Sequence, residues 1–261
     1  MPYEYIILDK IDDVAVIHLN NPEKRNAINV DMRAEYMDAL ENVRIDKSVG
    51  ALILTGKGKA FCSGADVERL DKGRTKGDDP KEVGEVAYQR VRALVGLGKP
   101  VIAAINGAAV GAGFTIASWC DVRIAAKSAK FGALFVRRGI MADGGLIYSL
   151  TRLLGHSMAC QVIFTGDFVD AEEALKIGLV SAVVPDEDLL EESLKLARRM
   201  ARNAPLALRD NKEAIYRSLE SDLRSQLGFE AERQMALFKT YDASEGMKAF
   251  FEKREPQFEG R

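Results

Sequence analysis

The chain has 261 residues, of which 47% are hydrophobic and 29% charged, enough for one large domain with a substantial core and a solvated surface. Its formal net charge of −2 gives no electrostatic case for nucleic acid as a main partner. No stretch reaches the roughly 18–20 apolar residues that span a bilayer, and three scattered cysteines with two distant histidines argue against a disulfide framework and a zinc site.

The opening segment MPYEYIILDKIDD is acidic and lacks a signal-peptide pattern, so a cytoplasmic protein with reduced thiols is expected. Tyr3 to Leu8 and Val14 to Leu19 read as a hairpin around Asp12-Asp13, with His18 a plain strand residue. After Asn20-Asn21-Pro22, helical spacing of Met32, Tyr36, Met37, Leu40 and Val43 predicts a helix over Val30–Arg44, capped by Asn29 or Asp31. Gly50–Thr55 reads as a buried strand. Phe61-Cys62 then enters Ser63-Gly64-Ala65-Asp66 as a second short strand and helix start. KGRTKGDDPKE is a polar surface segment before a helix near Lys81–Leu97.

The same device recurs in KPVIAAINGAAVGAGFTIASWCD at Lys99–Asp121. A strand, Val101–Ile105, leads through Asn106-Gly107 and a small-residue turn into an apolar helical run from Phe114 to Trp119. Two such turns place backbone N–H groups where they can share one negative oxygen. Farther on, Val122–Ala125 and Lys130–Gly132 read as strands, and FVRRGIMADGG as a loop before a helix over Leu146–Leu154. Gly166–Leu175 reads as a turn and a capped helix, and Gly178–Pro185 as an extended segment. From Asp186 onward only amphipathic helices are expected: Leu189–Arg202, Pro205–Leu219, Leu223–Tyr241 and Glu245–Lys253. The chain thus divides into an α/β core, 1–185, and a helical C-terminal region, 186–261.

AFCSGADVERL at 60–70, the 99–121 stretch, AKFG at 129–132, TGDFVDAEEALKIGLVSAVVP at 165–185 and the tail EGMKAFFEKREPQF together resemble the enoyl-CoA hydratase/isomerase, or crotonase, superfamily. The resemblance runs in order along essentially the whole chain. It implies an α/β fold made of a spiral of ββα units, with an all-helical C-terminal region that builds homotrimers or hexamers. It also implies an acyl-CoA substrate whose coenzyme A is part of the thioester, with no separate cofactor or metal and no nucleic-acid or membrane partner. The family's two oxyanion N–H groups fall here on Ala65 and Ala112. Its coenzyme A contacts fall on Lys24, Arg25, Ala27, Ala65, Asp66, Val67 and Glu68, with Phe250 and Lys253 reaching a neighbouring subunit's ligand.

The departures from the family pattern are at the proton carriers. Hydratases of the family hold water between two glutamates, and those positions are Thr115 and Phe135 here. Neither side chain is a base at neutral pH. Asp143, in GIMADGG, matches instead the single acid/base residue of the family's double-bond isomerases, although an Asp before a helix is also a natural N-cap. Burial in an apolar acyl pocket would raise its pKa. Isomerisation by Asp143 is the preferred expectation; a hydratase or hydrolase that activates water with Asp143, or a non-catalytic acyl-CoA-binding protein, are the alternatives. Phe114, Thr115, Phe135, Met141 and Tyr148 are the expected substrate-pocket residues.

Overall fold

The computed structural model describes residues 3–66 and 79–261. Two sheets lie at its centre. The larger has six strands in the order β1-β2-β3-β5-β7-β10: Ile6–Ile11, Val14–Leu19, Ala51–Gly56, Val101–Ile105, Val122–Ala126 and Ala182–Val184. Only its β1–β2 edge pair is antiparallel. The smaller sheet, β4-β6-β8-β9, comprises Ala60–Cys62, Ala108–Val110, Lys130–Gly132 and Phe168–Asp170.

The period-2 alternation of the central strands assigns each face. Ala15, Ile17, Leu52, Leu54, Val101, Ala103 and Ile105 point into the main core. That core is shared with α1 (Val30–Ile45), α3 (Ala112–Ser118) and α4 (Leu146–Thr165). Val14, Val16, Ala51, Ile53, Ile102 and Ala104 point the other way, onto Leu189, Leu194 and Ala197 of α6 (Leu189–Ala201). Burial of each leucine there is worth about 1.5–3 kcal/mol. So α6, although it lies in the helical C-terminal region, covers the second face of the large sheet.

Local chemistry explains where the expected elements move. The first strand starts three residues later than its composition suggests. The two-residue turn at Asp12-Asp13 pins Ile11 opposite Val14, and the N–H groups of Glu4, Tyr5 and Ile6 are taken by the Glu35 carboxylate of α1. Asn29, not Asp31, caps α1, accepting from Met32 N–H at 2.7 Å. The small residues after Asn106-Gly107 are not a turn: Ala108–Val110 is β6, parallel to β4 and β8. Ala65 forms a bridge with Ile28, so the chain there is still extended. The helix from Leu146 passes a kink at Gly155 and continues to Thr165.

The remaining helices are α2 (Pro80–Val95), α5 (Ala171–Lys176), α7 (Pro205–Ser218), α8 (Leu223–Leu237) and α9 (Tyr241–Glu252). Lys212 anchors α7 to the start of β5. Its buried ammonium donates to Asp121 at 2.8 Å and to the carbonyls of Leu94 and Lys99, while Asp121 also accepts from Tyr216 O–H and Val101 N–H. No helix among the described residues is long and apolar enough to cross a membrane.

The tail folds back along α9. Arg254 makes a bidentate pair with Glu245 at 2.6 and 2.8 Å, Gln257 N–H donates to the same carboxylate, and Asp242 accepts from Glu259 and Gly260 N–H. Arg254, with Gln257, holds the Glu245 carboxyl down at about 2. A carboxyl lowered in the folded state stabilises fully above its unfolded pKa, near 4.5, and loses that contribution as pH falls toward about 2. Glu245→Gln is therefore expected to lower the melting temperature at pH 7 and to flatten the wild-type decline between about pH 4.5 and 2, measured by parallel thermal melts.

Candidate active site

Two backbone turns meet at the C-terminal ends of β4 and β6. Gly64 and Gly111 both have positive φ, +101° and +53°, a region that side chains rarely adopt. They face each other closely. A Cβ on Gly64 would lie 3.0 Å from Val110 O and 3.5 Å from Ala112 N, and one on Gly111 would lie 3.9 Å from Gly64 Cα. The bridge to Ile28 uses Gly64 O and Asp66 N–H, which leaves the intervening Ala65 N–H aimed away from that pairing. Ala112 is the first residue of α3, where N–H groups have no intrahelical acceptor. Neither N–H has a hydrogen-bond partner among the described residues. The arrangement can accept one oxygen between two preorganised donors.

Gly113 seats this turn. A Cβ there would stand 2.3 Å from Cys62 O and 2.6 Å from Cys62 Cβ. Gly113→Ala must push α3 off β4, and it is expected to cost about 1–3 kcal/mol in denaturant unfolding and to lower turnover by displacing Ala112. Cys62 itself is no nucleophile, since burial pushes its thiol up to about 12; the same holds for Cys120.

The expected coenzyme A loop lies directly against this turn. Ser63 N–H donates to Arg25 O, Ser63 O–H to Lys24 O, and Lys24 Nζ lies 3.2 Å from Asp66. Lys24, Arg25, Ala27, Ala65 and Asp66 are therefore one continuous rim. Val67 and Glu68 lie outside the described residues. The keystone is Asn26, which the sequence reading passed over. Fully buried, it accepts from Asn21 N–H and donates to the carbonyls of Lys57, Ala60 and Phe61. Its left-handed φ of +56° is a conformation in which Asn is enriched.

The Asp143 turn lies against α3, where Thr115 and Trp119 meet the carbonyls of Asp143 and Gly144. The Asp143 side chain is exposed, so the apolar burial expected of it is not seen among the described residues. It is not the side-chain cap of α4 either: the N-cap is Gly145, in the left-handed region, with no side-chain capping bond. Arg90 of α2 senses the Asp143 charge. Burial pushes the Arg90 guanidinium down and Asp143 pulls it back up. An Arg within an amphipathic helix gives no local sign of this long-range electrostatic influence.

Thr115 and Phe135, the two positions where the resemblance places the hydratase glutamates, are both buried. Phe135 is buried, its Cζ 3.9 Å from where a Cβ on Gly111 would lie. Thr115 is buried, with its hydroxyl within reach of Gly111 O and Asp143 O. The other expected pocket residues separate. Phe114 is fully buried against Phe131, centroids 5.5 Å apart, as a core residue; its apolar spacing could not distinguish core from pocket. Met141 is 76% exposed on the surface of the Asp143 loop. Tyr148 stacks on Trp119 and donates to Glu220. Phe250 is exposed on α9 and Lys253 is its left-handed C-cap.

A groove of about 1410 Å³ runs between α2, α7 and the back of the Asp143 turn, lined by Tyr88, Val91, Gly144, Gly145 and Tyr148. Ala65, Ala112 and Asp143 do not line it, so it is separate from the point where the two N–H groups converge. On the surface, Arg137 pairs with Asp167, and Arg198 with Asp12 at 3.0 Å.

Residues 9–261 match the family described as enoyl-CoA hydratase/isomerase. The crotonyl-CoA hydratase of Syntrophomonas wolfei is 40% identical over 259 residues, covering 99% of either chain. The 2,3-dehydroadipyl-CoA hydratase of Escherichia coli is 36% identical over 256 residues, 98% of this chain and 99% of the other. The crystal structure of an enoyl-CoA hydratase from Bacillus anthracis superposes with a TM-score of 0.91 at 33% identity, over 99% of this chain and 100% of that one.

Proposed function

Because the chain belongs to the enoyl-CoA hydratase/isomerase family over residues 9–261, we propose that it processes an acyl-CoA thioester and shifts a carbon–carbon double bond within the acyl chain. The observation that carries this reading is the convergence of the Gly64 and Gly111 turns, with the uncharged, buried Thr115 and Phe135 beside them at the positions where the resemblance expects the hydratase glutamates. The thioester oxygen sits between Ala65 N–H and Ala112 N–H. Asp143 takes a proton from C2 of a 3-enoyl thioester, the electron pair moves onto the thioester oxygen as a dienolate, and the same carboxyl, whose proton exchanges with solvent, delivers a proton to C4. The double bond ends between C2 and C3, with no net gain or loss of atoms. The two donors stabilise the oxygen charge that exists only along this path.

The ligand's coenzyme A runs over Lys24, Arg25, Ala27 and Asp66, with Phe250 and Lys253 supplied to a neighbouring copy. Exposed Leu223, Leu227 and Met235 on α8, Phe238 at its C-cap, and Met247 and Phe250 on α9 support a homotrimer or hexamer, because so many apolar side chains rarely stay in water. A second reading, hydration with Asp143 activating water, is favoured by the names of the relatives. The test is a panel of linear, cyclic and aromatic 3-enoyl- and trans-2-enoyl-CoA thioesters in deuterated water. Deuterium gain at C2 and C4 at unchanged carbon–oxygen composition is expected. Addition of one water supports hydration instead, and tight binding without exchange supports a non-catalytic binder.

A further inference from the structure

Two contacts on one face of α3 end on the turn that carries Asp143, and a third ends on α4, the helix that follows it. Thr115, Ser118 and Trp119 stand at i, i+3 and i+4, so their side chains share that face. Trp119 Nε1–H donates to Gly144 O at 3.1 Å. The Thr115 hydroxyl lies 3.2 Å from Gly111 O and 3.4 Å from Asp143 O. Ser118 Oγ meets Ser149 Oγ at 2.7 Å, and both are buried. Shape reinforces the bonds. A Cβ on Gly144 would stand 2.9 Å from the Thr115 methyl, and one on Gly145 2.8 Å from Trp119 Cζ2. Tyr148 closes the far side of the indole, stacked at 5.6 Å and 15°.

These contacts matter because α3 begins at Ala112. The helix that presents one oxyanion donor also holds the carbonyls of Asp143 and Gly144. We propose that Trp119 and Thr115 are positioning residues: through Gly144 O and Asp143 O they fix the Asp143 turn to α3, so that the carboxylate and the Ala112 N–H keep one mutual distance during proton transfer. Thr115, where a family hydratase has a base, shares its one hydroxyl hydrogen between Gly111 O and Asp143 O and packs its methyl against Gly144, so that it bridges the Gly111 turn and the Asp143 turn. The inference rests on the reading of Asp143 as proton carrier. Proton transfer is sensitive to this distance, since a displacement of about 1 Å can cost on the order of 100-fold in rate.

The test uses the full chain and the exchange assay above, with Trp119→Phe, Thr115→Val and Thr115→Ser, each alone and combined with Asp143→Asn. Trp119→Phe keeps a ring against Tyr148 and Gly145 but removes the N–H. Thr115→Val keeps the branched shape and removes the hydroxyl, while Thr115→Ser restores it. Trp119→Phe and Thr115→Val are each expected to lower kcat about tenfold or more with little change in KM, Thr115→Ser to recover most of the loss, and neither loss to persist in the Asp143→Asn background. Should Trp119→Phe not fold, the Thr115→Val and Thr115→Ser pair decides alone. Equal fold-losses with and without Asp143, or kcat within about twofold of wild type, overturn the positioning role while leaving the reading of Asp143 intact. Wild-type turnover by Asp143→Asn itself overturns both.

Discussion

Asp143→Asn is expected to lower proton exchange at C2 and C4 of an enoyl-CoA by about 100- to 10,000-fold, the range that a positioned general acid/base supplies. The substitution keeps size and shape and removes the ability to hold a proton at the carboxyl. The fold should stand. The α4 N-terminus is built on Gly145 with no side-chain capping bond, and Asp143 contributes to its turn through its backbone carbonyl, which accepts from Leu146 N–H. A melting temperature near wild type with exchange lost is therefore the signature. The residual rate should exceed the solution rate, because the Ala65 and Ala112 N–H groups still stabilise the oxygen charge. Turnover within a few-fold of wild type would remove Asp143 from the chemistry and return attention to a bound water. Product mass adds an independent axis: the same variant loses hydration under the second reading, so loss of activity identifies the carrier, and mass identifies the reaction.

Most of the scaffold that delivers these groups is written locally. Alternation in VAVIHL and ALILT assigns two faces to the central strands because neighbouring side chains must point to opposite sides. Asn29 and Asp170 cap their helices where their short polar side chains suggest. What escaped sequence reading is what depends on distant partners. Ala108-Ala109-Val110 is too short and too small to show a strand period, and becomes β6 only because β4 and β8 lie on either side. Asn26 looks like a loop residue until three carbonyls from a segment more than thirty positions away converge on its amide. Trp119 reads as one more apolar helix residue, yet its ring nitrogen holds Gly144 O. Met141 and Phe114 were both apolar residues near the site, and apolarity alone could not separate a surface loop from a core. The Gly64 and Gly111 turns were legible for the opposite reason: glycine at positive φ leaves a mark in the sequence wherever the backbone must reach close.

The backbone donor can be removed by a side-chain substitution at one of the two turns. Ala112→Pro replaces the N–H with a ring carbon, and is expected to lower kcat by about 100- to 1,000-fold, the loss typical of one oxyanion donor. The position is suited to the test. Ala112 is the first residue of α3, where proline's fixed φ matches the helix and no intrahelical bond is lost. The clash that proline imposes on the preceding residue falls on Gly111, which has no Cβ to meet it. Ala112→Gly is the control. It keeps the N–H, costs at most about 1 kcal/mol of helix propensity, and should keep most of the activity. The contrast separates two explanations that a single loss of rate would not. If the turn only packs the chain, glycine and proline should both be tolerated in function as long as both fold. If it binds the developing oxygen charge, proline alone fails, and it fails in kcat more than in KM, because the lost interaction is made in the transition state and not in the ground state. An Ala112→Pro protein with a wild-type melting temperature and wild-type kcat would show that the thioester oxygen is held elsewhere, and the convergence of the Gly64 and Gly111 turns would then be a packing feature alone.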